Sequence, residues 1–464
     1  MSLALPLIVP WASAALLALA DGRRRMVGWL AVAGLAASLV ALCVLAAEVF
    51  ADGPQRSVAG GWPPGIGIVL RADELGVVFA VLSSGVLLAA LVHELLLERL
   101  GRMFPALVLF LATGLTGLFL TGDVFNFYVF FELTMISSYT LAAYPGGARE
   151  LRAGFVFAVV NLLGSALFLL GIAALYHVAG TLEMTVAAER LAQAEPSAVI
   201  LIAVVFFVAF GVKLGLFPFH FWVPPVYASA RPGVTAMLSG AVANVGSYGL
   251  LRFGAAILPA QLRLGAWVLL VLGTASILYG ALQALSRRTA SEVLAYSAIG
   301  QAGYVLVAIA IGGPVGLAAA VVYSVANALN KTLLFLSTAL RGWLVSAVFA
   351  VGAFSTAGVP PSAGFLGKLT LFQASVEDQS VALVVLIFVG GALSFVYMFQ
   401  IYQHDFWRPE AQRDTPGEAA PLSSGALRAV TVAVAVVIVG LGVWPEPLLA
   451  AGQAAAEAVR EARP

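Results

Sequence analysis

The chain has 464 residues, 61% hydrophobic and only 10% charged, with a formal net charge of +1. Soluble domains carry about 25% charged residues, so the composition excludes a soluble protein and describes one that crosses a bilayer many times. The small net charge argues against nucleic acid as a partner, and a single cysteine, Cys43, excludes an intrachain disulfide.

Apolar runs of about 20 residues, bounded by Arg, Gly, Pro or acids, mark the candidate spans. In chain order they fall near 3–20, 27–49, 74–97, 104–122, 124–144, 154–177, 198–217, 232–256, 264–285, 291–312, 314–339, 343–373, 381–403 and 426–450. The fold class is therefore an all-α polytopic membrane protein of about fourteen transmembrane helices. The opening MSLALPLIVPWASAALLALA lacks a basic n-region and reads as the first span, not a signal peptide. In the loop 51–73, GGWPPGIGI is suited to a small hairpin, and 181–195 (TLEMTVAAERLAQAE) reads as a short amphipathic surface helix. The run 343–373 is interrupted by GVPPSAG, so it is one broken helix or two short ones. The tail 451–464 is Ala-rich, with Glu457, Arg460 and Glu461, and reads as a helix end or a disordered end.

Arginine placement tests this topology. Counting from an outside start, the odd loops hold Arg23, Arg24, Arg25, Arg99, Arg102, Arg149, Arg152, Arg231, Arg287, Arg288, Arg341, Arg408, Arg413 and Arg428. The even loops hold Arg56, Arg71, Arg190 and Arg263, with Arg252 near a helix end. The bias obeys the positive-inside rule and places both termini outside the cell.

Against that background the lysines stand out. There are three, Lys213, Lys331 and Lys368, each in or beside an apolar segment (FGVKLGLF, NALNKTLLF, GFLGKLTLF). A lysine at the centre of a membrane helix costs roughly 2.5–3.5 kcal/mol on the lenient insertion scale. Unlike arginine, lysine releases its proton when desolvated, so switchable charge sits inside and fixed charge mostly at the loops. Glu132, in the middle of the span FNFYVFFELTMISSYTL, is the candidate partner for Lys213, the structural alternative being a helix–helix ion pair. Asp123 reads as the N-cap of the same helix. Asn327 and Lys331 share a face with Ser324, a polar stripe able to hold water. Lys368 follows a Pro/Gly break, where broken membrane helices line cavities; its structural alternative is snorkelling at a helix end. His220, two turns after Lys213, is suited to passing protons. His177 reads as interfacial and His93 with Glu94 as a pair at the inner edge. No metal-ligand spacing, phosphate-binding loop, dinucleotide fingerprint or nucleophile elbow occurs, so no metal and no cofactor is expected.

The runs TGDVFNFYVFFELTMISSY, GVKLGLFPFHFWVPPVYASARPGVTAMLSG, LAYSAIGQAGY, NALNKTLLFL and GVPPSAGFLGK resemble the antiporter-like subunits over residues 100–430. That family joins the proton-pumping membrane subunits of complex I, the membrane-bound hydrogenase subunits and the Mrp-type multi-subunit cation/proton antiporters. ALPLIVPWASAALLAL and GWPPGIGIVLRADELG look most like the Mrp branch. The resemblance implies two inverted five-helix repeats, each with a broken helix. The chain then divides into N-terminal helices 1–98, a first repeat 104–256, a second repeat 264–403 and a C-terminal helix with its tail 426–464, all one integral membrane domain. It implies a proton relay of Glu132, Lys213, Lys331 and Lys368, gated by a change in the Glu132–Lys213 interaction. The implied partners are other members of a hetero-oligomeric complex, protons, Na⁺ and the lipid bilayer. The alternative class is a membrane-arm component of a redox-driven complex, a hydrogenase or an NADH:quinone-type dehydrogenase.

Three departures stand against the pattern. Asn244 occupies the position where relatives show a lysine or histidine; asparagine holds water but carries no proton, and Tyr248, one turn on, is placed to order that water. Asn327 stands where a histidine commonly occurs. The link between NALNKTLLFL and GVPP is short. The first two leave open a protein that conducts protons passively, or a scaffold that has lost transport.

Overall fold

A computed structural model of the chain describes residues 3–61, 67–98, 100–144, 146–407 and 425–461. The centre of the GGWPPGIGI turn, Arg99, Arg408, Arg413 and most of 404–425 lie outside the described residues.

Helices α1 (Leu5–Ala18) and α2 (Arg25–Asp52) form an N-terminal pair. A two-stranded antiparallel ribbon follows, β1 (Gln55–Val58) and β2 (Val69–Ala72), with Arg56 opposite Arg71. Next come α3 (Glu74–Leu97), α4 (Phe104–Phe119), α5 (Val124–Ala142) and α6 (Ala148–Ala179). The short α7 (Met184–Ala192) is followed by α8 (Pro196–Leu214) and α9 (Val223–Ser229). Helix α10 (Pro232–Ile257) passes through wide, π-type turns at Leu238–Val242 and Leu250–Ile257. The chain continues as α11 (Pro259–Leu264), α12 (Ala266–Leu285), α13 (Ala290–Ile311) and α14 (Gly313–Thr338). It ends with α15 (Trp343–Ala357), α16 (Ala363–Glu377), α17 (Val381–Ile401), α18 (Gly425–Val443) and α19 (Glu446–Glu461).

The helix starts follow local chemistry. Asp73 accepts from Gly76 N (3.0 Å), Asp123 from Asn126 N (2.7 Å) and Ser362 from Phe365 N (3.3 Å), each satisfying a free first-turn donor. Prolines open α4 and α8, where no N–H is needed.

Two of the runs resolve into separate helices, the first as one of the two alternatives its sequence allowed. The 343–373 run is two short helices, because Gly358 leaves the helix with φ +88° and Ser362 caps a new one. The 426–450 run breaks after Val443, and its second part, α19, continues as helix to Glu461. The 181–195 segment does contain the amphipathic helix α7, which buries Met184, Ala187, Ala188 and Leu191.

Contacts between loops sort the bundle into two ends. At one, Gly22 N donates to Arg102 O (3.0 Å), Arg149 to Ala228 O (3.2 Å), and Arg231 pairs with Glu94 (2.8 Å) and Glu98 (2.7 Å). At the other, the β-ribbon meets the α4–α5 link through Gly122 N to Val69 O (2.8 Å), and Arg56 pairs with Glu183. Among the described residues the first, third, fifth and seventh loops thus meet at the first, arginine-rich end, and the second, fourth and sixth at the second. Among the long helices the most enclosed are α10, α13 and α14, and the shorter α4 is enclosed as well; α2, α6, α12, α17 and α18 turn most of their surface outward. Enclosed helices bury their polar groups against protein, while outward ones present apolar side chains, as the bilayer requires.

Candidate proton path

Helix α8 stops at Gly215, whose φ of +69° takes the chain out of the helix; a Cβ there would also lie 2.5 Å from Val223 Cγ2. The break is held by Trp222, which donates from Nε1 to Val212 O (3.0 Å) and stacks on Phe157 (4.7 Å between centroids). Lys213 therefore sits in the last turn before a break, fully enclosed. Its ammonium donates to Asn161 O (3.4 Å) and lies 4.2 Å from the centre of the Phe131 ring, a cation–π contact. Glu132 is the next residue on α5. It interacts electrostatically with Lys213, yet among the described residues no ion pair joins them within 4.0 Å, and Oε1 of Glu132 is buried without a hydrogen-bond partner. The expected pair is thus a near pair, with an aromatic face under the ammonium.

The second half reverses the order, with the break first and the lysine after it. Lys368, in α16, reaches back and donates to Ala357 O (2.8 Å), the last residue of α15, and lies 5.4 Å from the centre of the Tyr304 ring. Its stem packs where a Gly358 Cβ would intrude, at 2.6 Å. This geometry is a buried donor serving a freed carbonyl, not a snorkelling end.

Helix α10 lies between these parts. On one side Gly246 sits against Leu214 and the carbonyl of Phe210, at 2.9–3.0 Å from a would-be Cβ. On the other, a Cβ at Gly240 would collide with Thr332 Oγ1 and lie 3.1 Å from Ala328 O. Asn244, between those glycines, is buried and donates to Gly240 O (2.9 Å). Asn244 thus lies on α10 between its contact with the helix of Lys213 and its contact with the helix of Lys331. Lys331 is buried, and the adjacent Asn330 has a buried Oδ1 without a partner; Asn327 is half-buried.

Several expected roles move. Tyr248 does not face Asn244's surroundings with its hydroxyl: it donates to Phe119 O (3.0 Å) and accepts from Arg252 Nε (3.1 Å). It belongs to an ion cluster near the ribbon, in which Arg252 grips Asp73 and Arg71 adds a contact at 3.1 Å. His220 is packed among Tyr279 (4.5 Å) and Phe217 (5.6 Å), with Nδ1 unpartnered, and makes no contact with Lys213 among the described residues. Glu94 pairs with Arg231 and accepts from Gly233 N (2.9 Å), capping α10, rather than pairing with His93. Asp123 is a helix cap, as expected, and His177 is exposed in the last turn of α6.

Sequence reasoning missed a buried hydrogen-bond network of Ser297, Gln301, Tyr323, Ser394 and Tyr397. Its signal was present: Ser297 and Gln301, four apart, put two polar groups on one face of an apolar helix.

Lys213 and Lys368 thus lie at helix breaks, Lys331 lies inside α14, and the enclosed helix α10 packs between the helices of Lys213 and Lys331. Residues 121–394 match the model of the membrane family described as NADH:quinone oxidoreductase/Mrp antiporter. The chain is similar to the D-type subunit of the Na⁺/H⁺ antiporter of Alkalihalophilus pseudofirmus, 30% identical over 96% of this chain and 94% of that protein. It is also similar to the N-type subunit of the NADH-quinone oxidoreductase of Desulforudis audaxviator, 30% identical over 95% of this chain and 93% of that protein. Among solved structures, a chain of the Mrp complex from Dietzia sp. DQ12-45-1b superposes with a TM-score of 0.91 at 27% identity, over 99% of this chain and 97% of that one. The chain belongs to the NADH:quinone oxidoreductase/Mrp antiporter family of membrane proteins.

Proposed function

We propose that the chain is the D-type component of a multi-subunit Na⁺/H⁺ antiporter in the cell membrane and that it carries the proton side of the exchange. The observation that supports this most is the position of α10, with Gly246 on the helix of Lys213, Gly240 on the helix of Lys331, and Asn244 between them. In this reading Lys213 is charged while the Glu132 carboxylate is close and gives up its proton when that carboxylate withdraws. Water held by Asn244 takes the proton to Lys331, and Lys368 passes it on. Lys213, Lys331 and Lys368 are the carriers, Glu132 the modulator, and Asn244 a water-holding position. The arginine-rich end faces the cytoplasm, and both termini face outside. The two breaks with opposite lysine order are what a pair of inverted repeats would produce.

The test is Na⁺-driven proton exchange in membrane vesicles containing the assembled complex. Lys213→Ala and Glu132→Ala each abolish exchange while assembly persists; wild-type exchange by either variant sinks the reading.

A second reading, a membrane-arm component of a redox-driven complex, is favoured by the 30% identity to the N-type subunit of the NADH-quinone oxidoreductase. Purification of the native assembly separates the two: small antiporter subunits support the first, and flavin- or iron–sulfur-bearing partners the second.

A further inference from the structure

The network missed by sequence reasoning lies between Lys368 and the arginine-rich end. Tyr323 packs on Gly367, the neighbour of Lys368, where a Cβ would lie 3.1 Å from its ring, and its ring is 5.2 Å from that of Tyr304. Ser297 is two turns into α13, which begins just after the Arg287–Arg288 loop, and Tyr397 is one turn from the end of α17. Gln301 joins the two levels. The Tyr323 hydroxyl donates to its Oε1 (2.5 Å), and its Nε2 donates to Tyr397 OH (3.2 Å) and Ser394 Oγ (3.4 Å). Tyr397 OH is 2.9 Å from Ser297 Oγ and 3.1 Å from Ser394 Oγ, which donates to Gly390 O (2.7 Å). All five side chains are buried.

We infer that Gln301 is a proton-tight plug, holding these hydroxyls in a closed network while breaking proton continuity between Lys368 and the arginine-rich end. A hydroxyl accepts and donates at one atom, so a file of hydroxyls hands on an excess proton by rotation. An amide accepts at oxygen and donates at nitrogen. To pass a proton it must gain one on Oε1 and lose one from Nε2, leaving an imidic acid that has to be reset. Turning the amide over exchanges its two ends and keeps the break. A carboxylic acid in the same place accepts a proton on one oxygen and releases another from the second, with no change of bonding.

This inference rests on Lys368 being a proton station. The experiment uses the assembled complex in proteoliposomes, with the voltage clamped by K⁺ and valinomycin, no Na⁺, an imposed pH gradient and an internal pH dye. Gln301→Glu raises proton leak at least about tenfold over wild type, as expected when a competent proton carrier is inserted, while Gln301→Met stays tight. Should the Glu variant not assemble, Gln301→His, which also accepts and releases protons at different ring atoms, gives the same leak. A tight Gln301→Glu or Gln301→His complex overturns the plug, and so does an equal leak from Gln301→Met, which makes the network mere packing. Lys368→Ala alone tests the underlying reading: intact antiport in that variant sinks the relay while leaving the leak comparison to stand by itself.

Discussion

Arg252 holds both carboxylate oxygens of Asp73, at 2.6 and 2.7 Å, across 179 residues of chain. The clasp ties the C-terminal part of α10 to the cap of α3, next to the β-ribbon, and Tyr248 and Arg71 complete it. Burial alone would raise the Asp73 carboxyl, but the Arg252 charge, its hydrogen bonds and Arg71 outweigh burial and hold it at about 2. Removing one partner leaves the other charge buried, a loss of about 3–5 kcal/mol. Asp73→Asn and Arg252→Gln should each lower the melting temperature of the detergent-solubilised complex markedly, and the double variant should lose less than the sum.

The sign of the pH effect follows. The folded carboxyl titrates below its unfolded value of about 3.9, so its contribution is complete above that pH and lost as pH falls through about 2. The melting-temperature gap between wild type and Asp73→Asn should be constant from neutral pH down to about 4 and should close below it. A gap that closes near neutral pH would contradict this assignment.

Two glycine-to-alanine substitutions should act in opposite directions. At Gly246 the new methyl would lie 2.9 Å from the Leu214 backbone nitrogen, and backbone cannot swing aside. Overpacking of this kind costs about 1–3 kcal/mol. Gly440, in α18, has nothing within 4 Å, so alanine there should stabilise by about 0.5–1 kcal/mol through helix propensity. Melting temperatures of the two variants, one below and one above wild type, check the α8–α10 contact.

Lys368→Arg should keep the positive charge near the Ala357 carbonyl but remove the ability to release a proton. Antiport should fall to background while the complex assembles normally. Antiport at wild-type level would mean that charge alone, and not titration, is what this site supplies.

Asn244 offers the converse test. Asn244→Leu removes the water-holding group between the helices of Lys213 and Lys331 and should reduce antiport by roughly tenfold, with assembly intact. Asn244→Lys, which puts a proton carrier there, should raise flux above wild type. If neither substitution changes flux, α10 is a spacer and not a station.

The family, the helical class and the sorting of the first seven loops between two ends were legible because they depend on local signals: apolar run length, arginine bias and ordered motifs. The sequence also carries Pro218, Pro224 and Pro225 just beyond Lys213, where α8 ends. Tyr248 was misassigned because its hydroxyl is claimed by Arg252 and Phe119, and the second lies 129 residues away in sequence. Glu94 was matched with its neighbour His93, whereas Arg231, brought close by packing, gives a better partner. The Gln301 network depends on three helices meeting, so its members read singly as ordinary polar glue. The Phe131 face beneath Lys213 could not be read either, since rotation of α5 about its axis decides whether the ring or the carboxylate is nearer.

The enclosure of α10, α13 and α14 has a cost during biogenesis. These helices carry the amides, hydroxyls and close-packed glycines, and are less apolar than the outward-facing ones. A helix of this kind partitions poorly into lipid by itself. Glu94, which caps α10 and pairs with Arg231, is already in place when that helix emerges, since α3 is made first. A partner for the first turn of α10 is thus waiting when that helix is made, and Glu94→Leu should lower the yield of correctly inserted chain, read by protease accessibility of the 258–265 link.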